Sequence, residues 1–153
     1  MNRVLRVALA AVVLVASLAF AAGCGNEEQN DYVDQVNDVQ NAFLAEMTDA
    51  AEQPPPTNAS QADALVSGMQ DALNNAAADL EAIEPPDDVA NLHDELVTTM
   101  SGLGDQLGEL GDALQSGNPQ QATQAASQLS TAVSTAQTDI TTLIDEINSE
   151  LQE

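Results

Sequence analysis

The segment Glu84-Pro85-Pro86-Asp87-Asp88 separates two long stretches that share one helical pattern. Consecutive prolines end a helix, because proline lacks an amide donor and its ring clashes with the preceding turn. The two aspartates that follow are suited to capping a new helix with their carboxylates. The segment therefore predicts a sharp turn between two antiparallel helices.

Apolar residues recur at seven-residue intervals on both sides of this turn. In the helix predicted before it, from about Ser60, the two rows are Ala62, Met69, Ala76 and Ile83, and Val66, Leu73 and Leu80. In the helix predicted after it, to about Gln115, they are Val89, Leu96, Leu103 and Leu110, and His93, Met100, Leu107 and Leu114. A strict heptad repeat favours left-handed, coiled-coil-like packing.

Two further helices flank this pair. The first is predicted from Asp31 to about Gln53, with one apolar face formed by Tyr32, Val36, Val39, Phe43 and Met47. The last begins at Asn118-Pro119, an N-cap followed by proline, and reaches Leu151. Four amphipathic helices with short connections predict an all-α fold, an antiparallel up-down four-helix bundle with coiled-coil-like heptads over residues 31–153.

Three glycines of the third helix, Gly104, Gly108 and Gly111, fall on one face. Each costs a helix up to about 1 kcal/mol relative to alanine. Either a neighbouring helix approaches this face closely, or the helix is locally weak or kinked there. The sequence leaves both interpretations open.

A secretory signal precedes the bundle, over residues 1–23. Arg3 and Arg6 are followed by an almost unbroken apolar run from Val7 to Ala22 and by small residues before a cleavage position. This order of a basic region, an apolar core and small residues is typical of export across a membrane.

The end of the signal, Leu18-Ala19-Phe20-Ala21-Ala22-Gly23-Cys24, resembles the lipobox of bacterial lipoproteins, with Ala21 where the usual pattern has leucine. The resemblance implies that lipid such as palmitate is attached to Cys24 and that residues 24–30 form a polar tether. The alternative is an uncleaved membrane helix that ends near Cys24. Both interpretations predict a membrane-anchored domain on the extracytoplasmic side of the cell membrane.

A second resemblance lies at the central turn. Leu80-Glu81-Ala82-Ile83-Glu84-Pro85-Pro86, followed by Val89, His93 and Leu96-Val97, is similar to the helix–Pro-Pro–helix junction of small helical lipoproteins of high-GC bacteria. That family has no assigned activity. The resemblance therefore implies a location and a fold but no reaction.

The charge is strongly one-sided. The chain contains 25 Asp and Glu residues against two arginines, and both arginines lie in the signal. The domain therefore has no Lys or Arg for ion pairs, and it lacks the basic clusters that bind nucleic acid or anionic lipid. The acidic surface is interpreted as a solvated face. Weak capture of divalent cations by pairs such as Asp87/Asp88 and Asp145/Glu146 is the sharper alternative.

The sequence contains no recognisable catalytic motif. His93 is the only histidine, no Gly-x-Ser-x-Gly motif is present, and the only cysteine is Cys24. Ala90 stands three positions before His93, so the Glu-x-x-His motif of bundle metal sites is also missing. We therefore predict no enzyme and no cofactor, and we interpret His93 as a residue at the edge of the core.

One stretch of this acidic domain differs from the rest, because residues 113–138 carry no charge. It is predicted to form the turn between the last two helices, far from the membrane. It is either a partner-binding surface or a low-complexity helix that binds nothing. The predicted contact residues are Gln115, Asn118, Gln120, Gln121, Gln124 and Gln128. The C-terminal end of the last helix is expected to fray, since its carboxylates oppose the helix dipole.

These observations predict a membrane-anchored extracytoplasmic lipoprotein that acts as a binding or structural module of the cell envelope. Its partners would be the membrane, through lipid on Cys24, and an envelope protein. The alternative function is an anionic lipoprotein that binds or buffers divalent cations.

Overall fold

The computed structural model describes residues 27–152. Its four helices are α1 (Glu27–Glu52), α2 (Ala59–Glu81), α3 (Ala90–Gln115) and α4 (Pro119–Glu150), and the described part of the chain contains no strand. The predicted all-α four-helix bundle is confirmed. The signal over residues 1–23 and Cys24 lie outside the described residues.

Contacts between the helices establish the up-down order. The side chain of Gln115, at the end of α3, donates a hydrogen bond to Asp63, near the start of α2, at 3.2 Å. His93, near the start of α3, reaches the carbonyl of Leu80, near the end of α2, at 3.0 Å. The start of α1 lies at this second end as well, because Tyr32 bonds to His93. The α3–α4 turn therefore lies at the opposite end of the bundle from the start of α1.

The heptad rows form the core, as predicted. Every member of the two rows listed before the Pro-Pro turn is buried, and so are most members of the two rows of α3. In α4 the buried side chains at the same spacing are Leu129, Val133, Ala136, Ile140, Leu143 and Ile147. One continuous cluster joins apolar side chains of all four helices. Residues 27–152 thus contain a complete core of the kind that lets a domain fold by itself.

The helix starts differ from prediction in three places. α1 begins at Glu27, so the end of the predicted tether over residues 24–30 is helical. α2 begins at Ala59, one residue before the predicted start near Ser60, and its N-cap Asn58 accepts from the amide of Gln61 at 2.9 Å. Gln61 in turn accepts from the amide of Thr57 at 2.9 Å, which completes a reciprocal cap.

The third difference concerns the aspartates after the Pro-Pro turn, because they do not cap α3. The N-cap is Val89, which makes no side-chain capping bond. Its amide donates to the carbonyl of Pro86 at 3.0 Å, so the turn closes through the backbone. Asp87 and Asp88 stay exposed. By contrast, Asn118 caps α4 as predicted.

The glycine face of α3 packs against α2. A Cβ atom built on Gly104 would meet the side chain of Asn74, and one on Gly108 would meet Nε2 of Gln70 at 2.6 Å. A Cβ atom on Gly111 would lie 3.5 Å from Oδ1 of Asp63. Close approach of a neighbouring helix is therefore the correct interpretation, and α3 runs without a break from Ala90 to Gln115.

The end of α4 is packed rather than frayed. The helix continues to Glu150, and Leu151 forms the C-cap with its side chain 5% exposed. Ile147, one turn earlier, is completely buried. Apolar packing at this end of the core thus opposes the unfavourable placement of carboxylates near the helix C-terminus.

Candidate functional site

The uncharged turn between α3 and α4 lies on the surface at the end of the bundle remote from the start of α1. All the predicted contact residues are exposed: Gln115, Asn118, Gln120, Gln121, Gln124 and Gln128. Two of these side chains also bond within the bundle. Asn118 accepts from the amides of Gln120 and Gln121, and Gln115 donates to Asp63. The remaining glutamines project from the first turns of α4.

Carboxylates border this surface, although its own sequence has none. A shallow groove between α3 and α4 is lined by Glu109, Asp112, Ala113, Gln121, Gln124, Ala125 and Gln128. The fold therefore places charges of α3 beside the amides of α4. The stretch is uncharged in sequence, but the surface that it forms has carboxylates of α3 along one side.

Several hydroxyl groups of α4 donate hydrogen bonds to the backbone of the same helix. Thr123 donates to the carbonyl of Pro119 at 2.8 Å, and Ser134 donates to that of Ser130 at 3.0 Å. The same bond to the residue four positions back recurs along the helix at Thr131, Thr138, Thr141 and Thr142. Near the start of α4, the exposed amides of Gln120, Gln121 and Gln124 offer both donors and acceptors to a partner.

A buried polar pair ties the opposite end of the bundle together. His93 is only 2% exposed, so it lies inside the core rather than at its edge as predicted. Its Nδ1 lies 3.1 Å from the hydroxyl of Tyr32, and its Nε2 lies 3.0 Å from the carbonyl oxygen of Leu80. The pair thus links α1, α2 and α3.

The partners of His93 determine its tautomer. The carbonyl of Leu80 can only accept, so Nε2 carries the proton and donates to it. Nδ1 of the neutral imidazole then carries no proton, and it accepts a hydrogen bond from the hydroxyl of Tyr32. Burial lowers the pKa of His93, although the carbonyl of Leu80 and the charge of Asp94 oppose this effect. Burial likewise raises the pKa of Tyr32. Both groups are therefore neutral at physiological pH.

The acidic groups do not converge on a metal site. A second shallow groove between α3 and α4 is lined by Asp94, Glu95, Thr98, Thr99, Asp139, Thr142, Leu143 and Glu146. Within residues 27–152, however, no three His, Cys, Asp or Glu side chains are grouped so that they could hold a metal ion. The arrangement concentrates negative charge at this groove without forming a coordination shell.

A seam between α1 and α4 opens towards the core. Along the described lengths of these two helices, no Cα atom of one lies within 8 Å of a Cα atom of the other. A partly open cavity of about 50 Å³ lies there. It is lined by Val36, Val39, Gln40, Phe43, Ala76, Leu80, Leu96, Met100, Ile140 and Ile144. This lining is apolar except for Gln40. The heptad pattern does not predict the seam.

The chain matches no protein-family model, no curated protein and no solved structure. None of the four described helices is both long and apolar enough to cross a membrane.

Proposed function

We propose that this chain is a membrane-anchored extracytoplasmic lipoprotein that serves as a binding module of the cell envelope rather than as an enzyme. The proposal combines the lipobox-like segment before Cys24 with the direction of the helices. α1 begins at Glu27, three residues after Cys24, so the start of α1 would face the membrane.

The observation that carries the binding role is the position of the α3–α4 turn. Gln120, Gln121 and Gln124 are exposed at the end of the bundle opposite the start of α1. α4 alone is 32 residues long, which corresponds to roughly 48 Å of helix. An envelope protein would thus meet amide groups well away from the bilayer.

The anchor is tested by Cys24→Ser in the full chain. We expect the parent protein to take up a radiolabelled or clickable palmitate and to fractionate with membranes. The variant should accumulate as an unprocessed precursor without label. Normal processing and labelling of Cys24→Ser would refute the lipid anchor.

The partner surface is tested by crosslinking in intact membranes. Gln121→Lys with Gln124→Lys should abolish a crosslinked adduct that the parent chain forms, with helicity and melting temperature unchanged. Thr135→Lys is the matched control, because Thr135 is exposed on the same uncharged part of α4 but does not line the groove. Adduct formation that survives the paired lysine variant would remove this surface from the proposal.

The alternative, capture of divalent cations, is favoured by the acidic groove that contains Asp94, Glu95, Asp139 and Glu146. Calorimetry with Ca²⁺ or Mg²⁺ in about 0.15 M salt would detect it as saturable heat. Because these carboxylates do not converge, we expect the response to be matched by monovalent salt at equal ionic strength. Saturable binding that persists at that ionic strength would favour the alternative.

A further inference from the structure

The seam between α1 and α4 differs in chemistry from the two other grooves. Its lining contains no charged side chain. Of the two grooves between α3 and α4, one contains Glu109 and Asp112. The other contains Asp94, Glu95, Asp139 and Glu146. In a domain with acidic residues on every helix, the seam is an uncharged and apolar entrance to the core. It suits a hydrocarbon group and excludes an ion.

The backbone packing shows which wall of the seam can move. Among the described helices, α1 brings its Cα atoms within 8 Å of α2 alone, whereas α3 approaches both α2 and α4 this closely. Across the seam, side chains such as Phe43 and Ile140 line the cavity from the α1 and α4 sides. A displacement of the middle of α1, from Val36 to Phe43, away from α4 therefore widens the cavity without separating α3 from α2 or from α4. The bond between Tyr32 and His93 meanwhile holds the start of α1.

The seam lies towards the end of the bundle that would be anchored to the membrane, whose lipids are a source of hydrocarbon chains. Its α1 wall runs from Val36 to Phe43, roughly 10 Å along the helix. Val36 lies about 14 Å along α1 from Glu27, the residue at which the helix begins close to Cys24. If Cys24 is lipidated, as proposed above, the near end of the seam would lie within roughly 25 Å of the residue that carries the lipid.

We propose that the seam receives one unbranched acyl chain of a membrane lipid with a neutral head group, and that the middle of α1 moves away from α4 to admit it. This inference rests on the proposed membrane anchor. The cavity of about 50 Å³ takes only part of such a chain while α1 is closed. The domain carries many carboxylates and no Lys or Arg, so its overall negative charge disfavours an anionic head group and makes a neutral one preferable.

The test uses the chain from Cys24 onward, with Cys24→Ser so that it carries no lipid, and with isoleucine methyl groups labelled for NMR. The chain contains four isoleucines, Ile83, Ile140, Ile144 and Ile147. Two of them line the cavity, while Ile83 and Ile147 do not. Titration with 1-decanol should shift the signals of Ile140 and Ile144 saturably and leave the other two in place. Equal shifts of all four, or no shift, would overturn the proposal.

Two alanine variants separate a specific site from general partitioning. Ala76→Val places two added carbons at the cavity, whereas Ala72→Val makes the same change at a buried position of α2 that does not line it. The decanol shifts should be lost in Ala76→Val and retained in Ala72→Val, with both variants folded by circular dichroism. Retention in both variants would refute the assignment to this cavity.

Two further probes test the head group and the occupant. Decanoate should bind more weakly than decanol, and equal binding would contradict the preference for a neutral head group. If raising the protein concentration alone shifts Ile140 and Ile144, the seam holds a second copy of the chain and the lipid proposal is wrong. None of these readouts depends on the anchor, and labelling of Cys24 does not depend on the seam. The two proposals can therefore fail separately.

Discussion

The hydroxyl of Tyr32 lies 3.1 Å from Nδ1 of His93, and the two rings meet edge to face with their centroids 5.6 Å apart. This bond crosses the bundle from α1 to α3. Through Nε2, the same imidazole holds the carbonyl of Leu80 on α2. A single neutral histidine thus connects three helices at the end where α1 begins, and it gives α1 a polar contact beyond its packing on α2.

Replacement of Tyr32 by phenylalanine should destabilise the bundle by about 1–3 kcal/mol, because buried Nδ1 of His93 would lose its donor. The ring cannot switch tautomer to compensate, since Nε2 must keep its proton for the carbonyl of Leu80. Urea denaturation should show a lower midpoint with an unchanged m-value. Met47→Leu is the control, because it changes a buried side chain without removing a hydrogen bond. A loss no larger than in this control would show that the bond contributes little.

Acidification should weaken the bundle through His93. Burial lowers the pKa of this residue in the folded chain relative to its ordinary value of 6.5, so the unfolded chain binds the proton first as the pH falls. The stabilisation by neutral His93 is therefore complete above about pH 6.5 and is lost progressively below it. Relief of repulsion between carboxylates acts in the opposite direction, so the effect of His93 must be isolated with a variant.

His93→Gln provides this comparison. The unfolding free energies of the parent chain and the variant should be measured at pH 5 and pH 8 in the same buffer ions. The difference between the two proteins should be larger at pH 8 than at pH 5, because only the parent loses stability through this group. A difference that does not depend on pH would contradict the assigned role of protonation.

Periodicity was sufficient to predict the core, because heptad spacing depends only on helical geometry. Val66, Leu73 and Leu80 are buried as their spacing indicated. Caps were harder to predict, since several polar residues compete near each helix start. The proline after Asn118 marks that residue as a cap. No proline follows Asn58, and its cap depends on Gln61 reaching back to Thr57.

The interior features of the candidate sites depend on distances that the sequence does not encode directly. Tyr32 and His93 both lie on predicted apolar rows at the same end of an up-down bundle, so their pairing could have been suggested from the pattern. The seam could not, since it arises from the spacing of α1 and α4. The groove beside Gln121 and Gln124 likewise depends on which residues α3 turns towards α4.

Replacement of single glycines of α3 by alanine should distinguish the gain in stability from helix propensity from the cost of crowding against α2. Nothing lies within 4 Å of a Cβ atom on Gly102, so Gly102→Ala should stabilise the bundle by up to about 1 kcal/mol. Gly104→Ala should gain less, because its Cβ meets the side chain of Asn74, which must change rotamer. In an Asn74→Ala background the two substitutions should become equal. Equal gains in the parent chain, measured by thermal unfolding, would show that α2 imposes no constraint there.

Replacement of glutamate by lysine should affect stability through the helix dipole with opposite sign at a helix N-terminus and at a helix C-terminus. No basic residue lies in the last turn of any of the four described helices, while Glu27 and Glu28 occupy the first turn of α1. A carboxylate is favourable near a helix N-terminus and unfavourable near a C-terminus, by about 0.3–1 kcal/mol in each case. Glu150→Lys at the end of α4 should therefore raise the melting temperature more than Glu28→Lys at the start of α1.

The two substitutions are similar in exposure and in charge. Both sites are exposed, both changes reduce the negative charge equally, and each new lysine would have an acidic neighbour on its own helix, Asp31 or Glu146. The pair with Glu146 has the more favourable order along the helix, which adds a few tenths of a kcal/mol (about 0.2–0.5) to the same expected difference. Any gain from weaker overall repulsion is thus common to both variants. The difference between them should shrink in about 1 M salt, where the screening length falls to roughly 3 Å. Equal melting temperatures at low salt would mean that the packing of Ile147 and Leu151 already outweighs the helix dipole at the end of α4.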